Sequence, residues 1–293
     1  MRTWIPVTFL AVILLFLLPP VPAVLKKGLR SSPGRLFVLP AVLIAVFCFS
    51  AWRWGALNFP LSLLVVAYTL VPTVLIFVQG ADAGEATWID LIVILALWLP
   101  VELNMGSQWI PKHAQGFLHT VAYGVALTLA LVLFLVFRGM KGMKYNLPSR
   151  VMDFIDPLIA FAIVAPILIG LGIALVFIPW FHVPGNLSAA GLAKTFGLIF
   201  VATALPEEIL FRSLVQNWLM QKFGSTTAVL AAASLIFGCA HLNNGPQALP
   251  NWRYMILATI AGFAYGKVFQ RASSATASMA LHALVDATKH VFF

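Results

Sequence analysis

Six ionisable side chains with the types and spacing for hydrolytic chemistry fall inside apolar stretches of the last third of the chain. Glu207, Glu208 and Arg212 belong to the run Pro206-Glu207-Glu208-Ile209-Leu210-Phe211-Arg212. Glu208 and Arg212 are spaced i, i+4, so on a helix they share a face and can form an ion pair. Glu207 points about 100° away from Glu208 on that helix, which leaves it for a different partner. His241 closes the apolar run Phe237-Gly238-Cys239-Ala240-His241; a lone histidine there can also serve as a partner of the helix C-terminal dipole. His282 and Asp286, again i, i+4, lie in the final apolar stretch, where the carboxylate can orient the imidazole or share a polar pocket with it. Peptide hydrolysis needs a base to activate water and donors for the developing oxyanion. Glu207 with His241 could hold and deprotonate a water, and His282 aided by Asp286 could polarise a carbonyl. A metal version is equally writable: Glu207, His241 and His282 could ligate zinc with water in the fourth position, although no HExxH helix is present.

The elements that must position these residues are membrane helices. Hydrophobic residues make up 61% of the chain and charged residues 9%, against about 25% charged in a soluble domain. Apolar runs of about twenty residues, apolar all round, fit spanning helices and not barrel strands. About ten candidate spans follow, at roughly 4–25, 36–56, 59–79, 88–103, 116–137, 152–180, 192–220, 225–242, 252–270 and 274–292. The fold class expected is an all-α polytopic bundle. The first span, with Lys26 and Lys27 after it, reads as a retained helix and not as a signal peptide. Ten spans put eleven Lys and Arg on one side, including the basic loops after the first and fifth spans, and six on the other, Arg2 among them, with Arg212 in the membrane. The positive-inside rule then puts both termini outside the cytoplasm.

Of nine acidic residues, Asp82 and Glu85 fall in a loop, and Asp90, Glu102, Asp153 and Asp156 lie near span ends. Only Glu207, Glu208 and Asp286 are deep, where an ionised carboxylate costs at least ~2.5–3.5 kcal/mol. Residues 138–151 form the internal boundary. Residues 1–151 make an N-terminal transmembrane region of about five helices, and residues 152–293 a second region of about five helices carrying the ionisable cluster. The positive net charge reads as an orientation signal, so membrane lipid is expected as a partner and nucleic acid is not.

The motifs carry a resemblance. EEILFR matches an EExxxR pattern, FGCAH an FxxxH pattern and HALVD an HxxxN/D pattern, in that order on successive helices. The set resembles the CPBP family, the type II CAAX prenyl endopeptidases and bacteriocin-processing-like intramembrane proteases, over roughly 190–293. The resemblance implies an intramembrane endopeptidase acting on a membrane-associated protein or peptide, a lipidated one included, in a prokaryotic plasma membrane. It implies that Glu207 is the catalytic glutamate, that His241 is its partner on the water, that His282 and Asp286 form the oxyanion-stabilising or second-histidine site, and that Glu208 and Arg212 support the first motif. The aspartate at 286 stands where CAAX enzymes of this type commonly have asparagine. Members of the family are written both with a divalent metal such as zinc and with a metal-independent glutamate. Two other readings fit the residues: a non-catalytic scaffold or immunity-type protein, and a proton-coupled transporter using intramembrane Glu and His.

Overall fold

The structure, a computed structural model, describes residues 4–81, 85–185, 187–245 and 247–293; Arg2 and Asp82, used above, lie outside the described residues. Every regular element among the described residues is helical. The chain divides into two compact units, Met1–Gly142 and Met143–Phe293.

In the first unit, α1 spans Trp4–Leu15, α2 Pro20–Ser31, α3 Val38–Arg53, α4 Phe59–Gln79, α5 Trp88–Glu102 and α6 Lys112–Ala130, the last continued by a π-helical turn, Leu131–Phe137. α4 and α5 start on side-chain caps. The Asn58 side-chain oxygen Oδ1 accepts from Leu61 N at 3.0 Å. Thr87 and Asp90 form a reciprocal capping box at the start of α5, satisfying donors a helix N-terminus otherwise leaves open. The expected first span is not one rod. α1 and α2 meet at 87°, because Pro19 and Pro20 both lack the N–H a continuous helix needs.

Asp90 lies near the start of its span, as expected, but it is turned inward. It is fully buried and paired with Arg138, which is 2% exposed. The guanidinium donates from Nε to Oδ1 and from Nη2 to Oδ2, both at 3.0 Å, and from Nη1 to the Gly80 carbonyl at 3.2 Å. Arg138, counted above as a loop charge, is therefore a structural one.

In the second unit, α7 spans Met152–Ala174. A continuous rod over 189–223, α8, runs from α-helical Ala189–Ile199 through π-helical Phe200–Ala204, α-helical Leu205–Glu208 and π-helical Ile209–Gln216 to α-helical Asn217–Phe223. Then come α9 Thr227–Cys239, α10 Trp252–Arg271 and α11 Thr276–Phe292. Ser188, Thr226 and Asn251 cap α8, α9 and α10 through Gly191 N, Val229 N and Tyr254 N. α9 closes on α10 through glycine. A Cβ on Gly238 would strike the Thr259 hydroxyl, and one on Gly262 would come within 2.8 Å of the Phe237 ring, so bare backbone permits the approach.

Residues 143–151, assigned above to the first region, pack within the second unit. The Lys144 ammonium donates to the carbonyls of Phe269, Gln270 and Ala272 at 2.8, 3.1 and 2.8 Å, satisfying carbonyls around the end of α10. Burial, with the Arg150 charge, pulls this ammonium below its ordinary pKa. Asp153 accepts from Ser149 N and Arg150 N, both at 3.0 Å, and from Ser273 N at 2.8 Å. These contacts fix the corner from which α11 departs.

The ten-span count meets a narrower result. Among the described residues, four helices are long and apolar enough to cross a membrane, Pro33–Arg53, Phe59–Gln79, Lys112–Phe137 and Met152–Ala174, and the bent α1–α2 pair makes a fifth if it is one span. The other expected spans depart for visible reasons. α9 has 13 residues, about 20 Å at the helical rise. α5 and α11 are also short, with 15 and 17 residues, while α8 carries Lys194, Glu207, Glu208, Arg212 and Lys222, and α10 carries Arg253, Lys267 and Arg271.

Asp90→Ala is expected to destabilise the protein by about 3–5 kcal/mol, because it strands a buried guanidinium. The double variant with Arg138→Leu should cost much less than the sum of the single changes. Thermal unfolding in detergent of the two singles and the double checks this.

Candidate functional site

The six residues singled out by sequence converge on the inner faces of α8, α9 and α11. Glu208, at the junction between the α-helical and π-helical parts of α8, is fully buried and so is Arg212. The Arg212 Nε donates to Glu208 Oε2 at 3.2 Å. The second oxygen of Glu208 faces another helix, Oε1 lying 3.1 Å from His282 Nδ1. The expected division, one carboxylate for the arginine and the other for the histidines, is thus incomplete. Glu208 serves both Arg212 and a histidine, because its two oxygens point to different helices.

Glu207 sits between the two histidines. Its Oε2 lies 3.9 Å from His241 Nε2 and 3.9 Å from His282 Nε2. Its side chain is 26% exposed, whereas Glu208 beside it is sealed. His241 follows the last turn of α9, and its Nδ1 lies 2.8 Å from the Phe237 carbonyl. A carbonyl only accepts, so Nδ1 carries the hydrogen and Nε2 presents a lone pair towards Glu207. The helix-end role and the site role of His241 are compatible, since they use opposite nitrogens. Asp286, 29% exposed, holds its Oδ2 3.5 Å from His282 Nε2, at the outer limit of hydrogen bonding. His282 is therefore faced by Glu208 on one nitrogen and by Asp286 and Glu207 on the other.

Aromatic rings set these imidazoles. Tyr265 stacks on His282 with centroids 4.6 Å apart at 20°. Tyr254 meets His241 edge-on at 4.5 Å. Phe237 touches His241 at 4.7 Å and His282 at 5.9 Å, and the Arg212 guanidinium lies 4.8 Å from the same ring. Sequence reasoning named Phe237 only as a motif letter and passed over both tyrosines. The signal was there: Tyr254 and Tyr265 are eleven residues apart, about three turns on one helix face. Lys289 sits one turn beyond Asp286 with its ammonium 4.7 Å over both Phe177 and Tyr254. Asp286, Thr288, Lys289 and Tyr254 share the wall of a crevice otherwise lined by apolar residues, such as Leu168, Leu257 and Val285.

The donor set does not fit a metal. Among the described residues, no three His, Cys, Asp or Glu side chains converge as a ligand group. The 3.9 Å separations of Glu207 from the two Nε2 atoms exceed the roughly 3.3 Å between tetrahedral zinc ligands at ~2.0–2.1 Å from the ion.

Buried carboxylate and imidazole groups gathered on the helices of one apolar bundle define the class expected for chemistry inside a membrane. Residues 158–288 match the family of the type II CAAX prenyl endopeptidase Rce1-like; the matched segment holds all six residues. No curated protein and no solved structure matches the chain.

Glu208→Ala is expected to lower the unfolding free energy by about 3–5 kcal/mol, because it leaves Arg212 buried without its carboxylate. Glu207→Ala, at a half-open position, should leave stability unchanged or raise it. Thermal unfolding of the two variants side by side checks the order, and the reverse order would contradict the assignment of supporting and working carboxylates.

Proposed function

We propose that the second unit is an intramembrane endopeptidase that hydrolyses a peptide bond of a membrane-associated protein or peptide, with a water activated by Glu207 and His241. The observation that carries this reading is the equal 3.9 Å spacing of Glu207 Oε2 from His241 Nε2 and His282 Nε2. A water at about 2.8 Å from both Glu207 Oε2 and His241 Nε2 subtends roughly 90° between them. That is close to the angle between the two hydrogens of one water, so a single molecule can donate to both groups and keep its oxygen lone pairs for attack.

The step balances without a further reactant. The water oxygen attacks the scissile carbonyl carbon while Glu207 takes the water proton. The carbonyl electrons move onto oxygen, where His282 stabilises the charge. On collapse the C–N bond breaks, and the proton held by Glu207 passes to the leaving amine. Asp286 orients His282 and balances its charge. Glu208 and Arg212 hold His282 from the other side. Families of this kind are also written with zinc, which would polarise the carbonyl and lower the pKa of the water; the donor geometry described above does not favour it.

The match of residues 158–288 to a CAAX endopeptidase family supports a peptidase. On this reading the chain is an integral protein of a prokaryotic plasma membrane. The second unit contributes about five of about ten helices that cross or enter the bilayer, the charged ones turned to the polar centre. The substrate class includes lipidated proteins.

Proteoliposomes of the purified full chain, incubated with a membrane-proteome peptide library in 18O-labelled water, test the proposal. Wild type should generate new C-termini carrying the label. Glu207→Gln and His241→Ala should each lower their rate by at least about 100-fold, while His282→Ala and Asp286→Ala also lower it. EDTA should leave the wild-type rate unchanged. Label incorporation equal in wild type and Glu207→Gln would overturn the assignment.

A further inference from the structure

The first unit holds a cavity of about 490 Å3 between α3, α4, α5 and α6, within the ~300–1,000 Å3 range of small-molecule sites. Its walls are Phe47, Leu61, Leu64, Val101, Leu118 and Ala122. One end is polar: Asn104 and Ser107, from the turn after α5, and Gln115 and His119, from α6, line it as well. No Asp, Glu, Lys or Arg lies among the residues lining this cavity. Glu102, the nearest acidic residue in sequence, is turned to the Trp98 indole, whose Nε1 donates to it at 3.2 Å.

The polar end keeps hydrogen-bonding capacity in reserve. Gln115 Nε2 donates to the carbonyls of Ser107 and Ile110, both at 3.1 Å, which fixes the amide and leaves its oxygen to accept. Tyr68, on the α4 wall, donates to the Leu97 carbonyl at 2.6 Å, and its phenolic oxygen can still accept. The turn that carries Asn104 is built for close approach. Asn104 has φ 49° and Gly106 φ 86°, and a Cβ on Gly106 would come 2.7 Å from the Leu64 side chain that forms the opposite wall. Asparagine and glycine are the residues that adopt this backbone readily. The turn thus presses the polar end against the apolar wall.

From this arrangement we infer that the first unit binds a neutral single-chain amphiphile, with its hydrocarbon tail between α4 and α6 and an uncharged head, a hydroxyl, ester or amide, at Asn104, Ser107, Gln115 and His119. The charge balance chooses the class. An anionic head finds no ammonium or guanidinium in the lining, and a cationic head finds no carboxylate, so either would lose hydration without a counter-charge. A neutral head exchanges its water hydrogen bonds for those of an amide, a hydroxyl and an imidazole. The inference is independent of peptide hydrolysis in the second unit.

The test uses the full chain in lipid nanodiscs and three photoreactive probes of equal chain length: hexadecanol, hexadecanoic acid and hexadecylamine, each with a diazirine in the chain. Cross-linked peptides are mapped by mass spectrometry. The alcohol should label residues of α4 to α6 around the cavity and should exceed the acid and the amine there by about fivefold. Ala122→Phe, which fills the cavity, should cut that labelling by about tenfold, with labelling elsewhere unchanged. Leu64→Trp fills the cavity from the facing helix and serves if thermal unfolding finds Ala122→Phe unfolded. His119→Leu together with Asn104→Leu should remove the preference for the alcohol. Equal labelling by the three probes, or labelling that folded Ala122→Phe or Leu64→Trp leaves unchanged, would overturn the inference and mean that the cavity meets only bulk lipid chains.

Discussion

The polar centre of the second unit depends on the two-sided bonding of Glu208. A fully buried carboxylate in an apolar bundle is costly unless its charge and lone pairs are met. Arg212 meets one oxygen from within α8 and His282 meets the other from α11. The network continues through Arg212 Nη1 to Gln216 at 3.4 Å and from Gln216 Nε2 to the Gly266 carbonyl at 3.0 Å on α10. One carboxylate thereby ties three helices at fixed register. Polar networks of this kind specify one arrangement when they are satisfied, because every alternative packing leaves a buried charge unmet.

That tie is what makes Glu207 available. With Arg212 and one face of His282 committed to Glu208, the neighbouring carboxylate is left half-open between two Nε2 atoms. Tyr265 and Tyr254 hold the imidazole planes, and Gly262 lets Phe237 close the floor beneath them. Under the proposed function, such groups, seated around a partly exposed carboxylate, supply the preorganisation that hydrolysis in a low-dielectric site requires. Glu207 and Glu208 sit in the short α-helical turn Leu205–Glu208 between two π-helical stretches, and π-helical turns recur at functional sites.

Much of the site was legible in the sequence, because i, i+4 spacing on an apolar helix leaves little choice of face. Glu208 with Arg212 and His282 with Asp286 could be paired from spacing alone. The bond from Glu208 to His282 could not, since it joins helices 74 residues apart and depends on how α8 and α11 pack. The stacking of Tyr265 was hidden for the same reason. The fold was legible as all-helical, but span by span it was not. Hydropathy windows do not see the Pro19-Pro20 break, and they treat α9 as longer than it is. Nor do they distinguish a loop arginine from Arg138, whose partner Asp90 lies 48 residues away. Long-range pairing is the information that local pattern lacks.

The central claim is that Glu207 does chemistry while Glu208 holds structure. Quantitative proteomics of protein N-termini tests it most directly, in membranes from cells making the wild-type chain, Glu207→Gln or no protein, at matched abundance. The account predicts a set of N-termini that appears with the wild type and is absent with Glu207→Gln. The same set in both, against none without the protein, would contradict it.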